Sequence, residues 1–310
     1  EMSAVLQAGD TLRTSLNSEY TVIDRKSGIT ILLKTPCPWP TGTRLYSPDR
    51  RCENFILRNN HFRSSGRILV KASHGLIENN IIEEGHSGVT INSEDAITAI
   101  EDITIRNNSI SGSGHFMPAS WSNQAGSVSI ASGGGGTIDP VGKFNNIRIE
   151  NNRFSDISGV NIVVTSSQNI KIKGNQFYKT GIPTPNNTGS DFGIDQNTVV
   201  FLKNVDVITV DSNAVINRGL NSLTKEIGVT NQTKLRGGVF DATNNGNSLL
   251  ENIIINGANH KIDEPFVIPK DYTGNSVAVK IIPIENATVS IAENFEVNVG
   301  KPTRKEIKFT

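Results

Sequence analysis

The chain has 310 residues, with thirty acidic against thirty basic side chains and only 6% aromatic residues. Neutrality removes the electrostatic case for a nucleic-acid partner, and no apolar run is long enough to span a bilayer, so membrane insertion is not expected. That length permits one elongated domain or two compact ones, and abundant Asn, Ile, Gly, Ser and Thr suit strands and turns better than helices.

The opening residues EMSAVLQAGD read as a trimmed start, so the lack of a signal peptide leaves the compartment open. Residues 1–48 alternate without any asparagine repeat ("YTVIDRKSGITILLK") and carry "CPWPTG"; they predict a small β-rich module. Cys37 and Cys52 are the only cysteines. They allow either a disulfide, which favours an oxidising compartment, or two unrelated buried thiols. Neither lies near an HxH or HxxH pair, so no metal site is expected.

From residue 49 a pattern recurs: "LRNNHF", "IENNII", "IRNNSI", "IENNRF" and "IKGNQF". The second polar residue of each pair falls at Asn60, Asn80, Asn108, Asn152 and Asn175, with a further one at Asn213. Apolar partners flank it, as Leu57 and Phe62 do at the first and Ile149 and Phe154 at the fourth. The shortest intervals match one solenoid coil, and the longer ones are coils carrying insertions. Alternation such as "NIRI" and "NIKI" reads as a strand with one buried face. Asparagine tolerates left-handed backbone and bonds to neighbouring backbone groups, so stacked coils would align these residues in an internal ladder. A second strand per coil follows in "RILVKAS", "GVTINSE", "SVSIASG" and "NIVVTSS", with Val70, Ile91, Ile130 and Val164 in register and pointing inward. The fold class expected is all-β, a right-handed parallel β-helix (solenoid) with an internal Asn ladder over residues 49–261. Residues 262–310 ("FVIPKDY", "SVAVKIIPI", "EIKFT") predict a β-rich C-terminal tail or cap.

Two insertions leave their coils at the same point, His115–Gln124 and Tyr178–Asn197, and would wall a groove with Asp156 and Asn161 on its floor. Outward positions of the second strand add Arg67 and Lys71 on one coil and Asn92 and Glu94 on the next, with Asp95 following. Glu83, Glu84 and His86 approach from the turn before. Arginine and carboxylates suit sugar hydroxyls, and Trp121 suits a sugar's apolar face. Solvated ion pairs and a plain surface loop are the alternatives for these groups. The substrate-binding candidates are therefore Arg63, Arg67, Lys71, Asn92, His115, Trp121 and Asn161. Hydrolysis with inversion needs one carboxylic acid and one carboxylate separated by room for water, and the candidates are Glu94 with Asp95 or Glu84.

The stretch "FILRNNHFRSSGRILVKASHGLIENNIIEEG" resembles a run in bacterial glycoside hydrolase family 110, exo-acting α-1,3-galactosidases. That family pairs an Asn-ladder strand, an Arg-rich segment ending in Arg-Gly-x-Leu and a second Asn-ladder strand. Here Arg63 and Arg67 stand at the basic positions, in the order "SSGRILV", and Glu94 falls near the acidic residue after the next strand, without its aromatic partner. The likeness covers residues 40–180. The family's acidic DDxxN stretch has no counterpart, so the chain resembles the C-terminal part of such an enzyme, or a relative lacking its catalytic half. The resemblance implies a secreted or periplasmic carbohydrate-active protein, glycosidase-like, acting on terminal α-galactosyl or related linkages, with no cofactor. Two alternatives stay open: a polysaccharide lyase using Lys71 or Arg67 as base, with calcium held by Glu83, Glu84, Glu94 and Asp95, and a non-catalytic glycan-binding or assembly module.

Overall fold

Two kinds of β-structure follow one another along the chain. In the computed structural model the described residues are 6–14, 19–43, 45–50, 52–64, 66–93, 99–114, 126–134, 137–183, 193–194, 196 and 198–217, with the backbones of strands from 222 to 309. The first part is an antiparallel sheet of β1 (Thr11–Arg13), β2 (Tyr20–Ser27) and β3 (Thr30–Leu33). Alternation in β2 buries Val22's neighbour Ile23 completely, against Leu6 and Leu12. Arg50 closes this module by a forked contact on Asp10, at 2.7 and 2.8 Å. That hydrogen bond holds the Asp10 carboxyl below its usual range.

From Glu53 the pairing becomes parallel. Strands β4 (Glu53–Arg58), β5 (His61–Arg63) and β6 (Ile68–Val70) pair respectively with β7 (Ser73–Glu78), β8 (Ile81–Glu83) and β9 (Val89–Asn92). The same three rows continue through β10 (Ile100–Arg106), β11 (Ser109–Ser111) and β12 (Val128–Ala131). After a small hairpin of β13 (Gly133–Gly134) and β14 (Thr137–Ile138) come β15 (Phe144–Glu150), β16 (Arg153–Ser155), β17 (Ile162–Lys173), β18 (Gln176–Tyr178), β19 (Thr198–Asp211) and β20 (Asn213–Ile216). The result is all-β, a strongly curled sheet with three faces around one core. Parallel pairing runs on through Ser248–Ile255, Ser276–Pro283 and Arg304–Phe309. The segment read as a tail or cap thus carries the same kind of pairing as the stack before it.

Register explains the core. On the first face Leu57, Ile77, Ile105, Ile149, Ile172 and Val210 align. On the second, Phe62, Ile82, Ile110, Phe154, Phe177 and Val215 do so, and the rings of Phe154 and Phe177 stack with centroids 5.0 Å apart. On the third, Val70, Ile91, Ile130, Val164 and Leu202 align. Each column is one side chain repeated every strand spacing, about 4.8 Å, so apolar contact is continuous along the stack.

The paired asparagines divide the labour at the corner between the first two faces. The first of each pair takes the left-handed bend: Asn59, Asn79, Asn107 and Asn151 have φ of 58°, 55°, 54° and 55°. In "IKGNQF" this place is held by Gly174 at φ 66°, where a Cβ would strike the Asn151 side-chain oxygen. The second asparagine turns inward. Asn80 donates its backbone and side-chain N–H groups to Asn108 Oδ1 at 3.0 and 2.9 Å, and its other amide hydrogen to the Leu57 carbonyl at 3.0 Å. Asn108 treats Asn152 alike, Asn152 treats Asn175, and Asn175 treats Asn213. Asn80, Asn108, Asn152, Asn175 and Asn213 are all buried. The ladder satisfies backbone groups that water does not reach.

Outside the first face runs a column of alternating charge: Arg58, Glu78, Arg106, Glu150, Lys173 and Asp211. Arg106 holds Glu78 at 2.8 and 2.9 Å, and Lys173 lies 3.4 Å from Asp211. Cross-strand opposite charges favour this register.

Candidate functional site

On the third face, Val89 and Ile91 point inward, so Thr90 and Asn92 must leave β9 on the opposite side. That side does not meet water. All four residues of β9 are buried, as are all four of β12 and the first six of β17. One coil below, Leu69 holds the matching outward position and is 47% exposed. Outward positions in register are Leu69, Thr90, Ser129, Val163 and Phe201. The covered strip is thus polar at Thr90, Asn92 and Ser129. It is apolar at Val163 and Phe201, which pack with Val160 and Ile194.

One hydroxyl in the polar part has no protein partner: Thr90 Oγ1 is buried and makes no hydrogen bond. A buried hydroxyl without a partner costs about 1–3 kcal/mol, so such atoms mark places where water or a ligand completes the bonding. Ser129 by contrast donates to the Gly126 carbonyl at 3.2 Å.

Beside this strip the sequence overlooks Asp139. Its carboxylate accepts from Ser132 Oγ at 2.5 Å, and its carbonyl accepts from Ser166 Oγ at 2.7 Å and Asn204 Nδ2 at 3.0 Å. These bonds pin the neck of the β13–β14 hairpin to three successive coils. Gly133, at φ 135°, lets the hairpin close, because a Cβ there would run into the Thr137 carbonyl. The signal available in sequence is the glycine run "SGGGGTIDPVG", which marks an excursion that must return to the stack.

The candidate residues fall in several places. Arg67 and Lys71 are exposed on the coil below Thr90. Arg63 and Glu84 meet at the second corner: Glu84, at φ 56° and 60% side-chain exposure, accepts from Ser64 Oγ at 3.1 Å and lies 4.0 Å from Arg63 Nε. Its neighbour Glu83 holds His61 at 2.8 Å. Asn92 is 1% exposed, so its expected place on an open surface is corrected to a covered one. Asn161 is wholly buried and donates to the Gly159 carbonyl and Thr180 Oγ1, so it is an interior corner residue and not a groove floor. Asp156 is exposed, 4.0 Å from Lys179. Glu94, Asp95, His115 and Trp121 lie outside the described residues. Cys37 and Cys52 are both exposed free thiols, which replaces both the disulfide and the buried-thiol expectation. Among the described residues no group of three or more His, Cys, Asp or Glu side chains is placed to hold a metal ion, and no helix is long and apolar enough to cross a membrane.

His86, at the turn leading into β9, is half-buried. Burial is the larger cause and the Arg67 charge the lesser one in holding its imidazole below the ordinary value of 6.5. On acidification the unfolded chain therefore takes up a proton before the folded one, and stability present above the ordinary value is lost as pH falls through the lowered one. The Tm of the wild type should drop further between about pH 7 and pH 5 than that of His86→Gln. Parallel Tm curves in thermal melts across that range would remove His86 as the cause.

No protein-family model matches the chain, and no curated protein matches it.

Proposed function

We propose that the chain is a right-handed parallel β-helix that binds a glycan along the outer side of its third face, and that it is a secreted or periplasmic, glycosidase-like protein acting on terminal α-galactosyl or related linkages. Right-handedness is supported by the near-universal hand of crossovers between parallel strands of one sheet. The observation that carries the binding reading is the covered polar strip with an unpartnered hydroxyl, Thr90 Oγ1, continued by apolar Val163 and Phe201. A sugar has the matching chemistry, hydroxyls on its rim and an apolar face of C–H groups. Arg67 and Lys71, exposed on the coil below, add charged donors for those hydroxyls.

Hydrolysis rests on the resemblance and asks for two carboxyl groups spaced across the bond being cleaved. The candidates are Glu94 with Asp95 or Glu84. A glycan array followed by assay of released galactose tests both layers. Binding of α-galactosyl glycans with galactose release supports the full reading. Binding without turnover reduces it to a glycan-binding module, and an ultraviolet-absorbing unsaturated product makes it a lyase. No glycan bound removes it. Arg67→Ala should weaken binding by about 1.5–3 kcal/mol at unchanged Tm, as expected for a lost charged donor.

A further inference from the structure

The first coil of the parallel stack ends unlike the coils above it. Among the described residues β4, β5 and β6 pair only with β7, β8 and β9, so one edge of each carries no backbone partner. The core side chains of that coil are incompletely covered. Phe55, Leu57, Phe62, Ile68 and Val70 are only partly buried, whereas Ile77, Ile82, Val89 and Ile91 directly above are at 0–1% exposure. Edge strands are usually blunted by proline, lysine or a bulge. Here β5 and β6 are only three residues long, and β4 and β5 carry the charges of Glu53, Arg58 and Arg63, but none of the three strands contains proline or lysine.

The asparagine ladder says what chemistry this end accepts. In each of the four rungs from Asn108 to Asn213, the Oδ1 receives two N–H groups from the asparagine one coil below. Asn60 spends both donors on the rung above, its N and Nδ2 reaching Asn80 Oδ1 at 3.1 and 3.0 Å, and its other amide hydrogen goes to the Arg58 carbonyl at 2.9 Å. What remains is Asn60 Oδ1, an acceptor with no bond among the described residues, facing the open end. A symmetric end-to-end dimer would set acceptor against acceptor there. The module of β1, β2 and β3 supplies no such coil, since its strands pair antiparallel with one another.

We infer that the open end of the first coil is a docking end for one further parallel β-coil, carried by another polypeptide and presenting an asparagine amide at the rung position. Such a coil would pair its three strands with the free edges of β4, β5 and β6, cover Phe55, Leu57, Phe62, Ile68 and Val70, and donate two N–H groups to Asn60 Oδ1. This is strand addition on three faces at once, with the ladder fixing the register.

The probe is a synthetic peptide of residues 73–93 of this chain, which holds a complete coil with its rung Asn80, added to the full-length protein. Amide hydrogen exchange read by mass spectrometry should slow at least about tenfold across residues 53–70, as new backbone pairing protects those amides. The Asn80→Leu peptide should give none of that protection, and because only the peptide changes, folding of the protein is not at stake. No protection by the Asn80 peptide, equal protection by both peptides, or protection confined to the opposite end at residues 304–309 would each overturn the inference. Protection of residues 53–70 that rises with protein concentration alone would also overturn it, in favour of a second copy of this chain.

Discussion

Replacing Asn152 with leucine is expected to lower the stability of the protein by about 2–6 kcal/mol, because two buried backbone groups lose their partners at about 1–3 kcal/mol each. One is the Asn108 N–H, which donates to Asn152 Oδ1 at 3.0 Å; the other is the Ile105 carbonyl, which accepts from Asn152 Nδ2 at 2.9 Å. Leucine keeps the branching and heavy-atom count of asparagine but is bulkier, so some overpacking adds to the loss of the two hydrogen bonds. The measurement is urea unfolding of both proteins. An unchanged midpoint would mean that the amide groups find other partners and that the ladder is not a stability element.

Phe154→Ala is expected to cost about 3–5 kcal/mol, the usual range for truncating a buried aromatic side chain. Phe154 is fully buried in the second-face column and stacks on Phe177 at an interplanar angle of 16°. Ile110 and Phe177 sit in register with it on the coils below and above, so the cavity has rigid strand backbone on both sides. A column fixed by strand spacing has little freedom to collapse into the gap. Phe154→Leu should lose much less, since most of the volume is kept. Equal loss from both substitutions in thermal melts would point to the ring stacking itself, and no loss from either would contradict the packing described.

The asparagine ladder was legible because its signal is local. Each rung stands between apolar residues in the same order, so aligned repeats reveal register without knowledge of the loops between them. What the repeat does not separate is the two jobs of its paired polar residues. Asn151 bends the chain while Asn152 bonds inside it, and Gly174 can replace the first kind only. The alternating charges from Arg58 to Asp211 were hidden for the opposite reason. Insertions of unequal length separate them in sequence, and only strand pairing sets them side by side.

The site was legible in part. Alternation tells which side of a strand Thr90 and Asn92 leave, but not whether that side meets solvent, which depends on what the rest of the chain lays over it. Asn92 therefore reads as open and is covered. Asn161 carried no periodic signal, since its partners Gly159 and Thr180 come from a corner and a neighbouring coil. Asp139 escaped because its partners Ser132, Ser166 and Asn204 lie on three different coils.

The proposed glycan site on the third face is tested most directly by Thr90→Val. Valine keeps the shape of threonine and removes Oγ1, a buried atom with no partner in the protein. Its loss should leave Tm unchanged or raise it, because an unsatisfied hydroxyl is destabilising by about 1–3 kcal/mol. Titration calorimetry with an α-galactosyl oligosaccharide selected on the array should then show affinity reduced by about 1 kcal/mol or more, roughly fivefold, in a protein at least as stable as the wild type. The same affinity in both proteins would contradict the account.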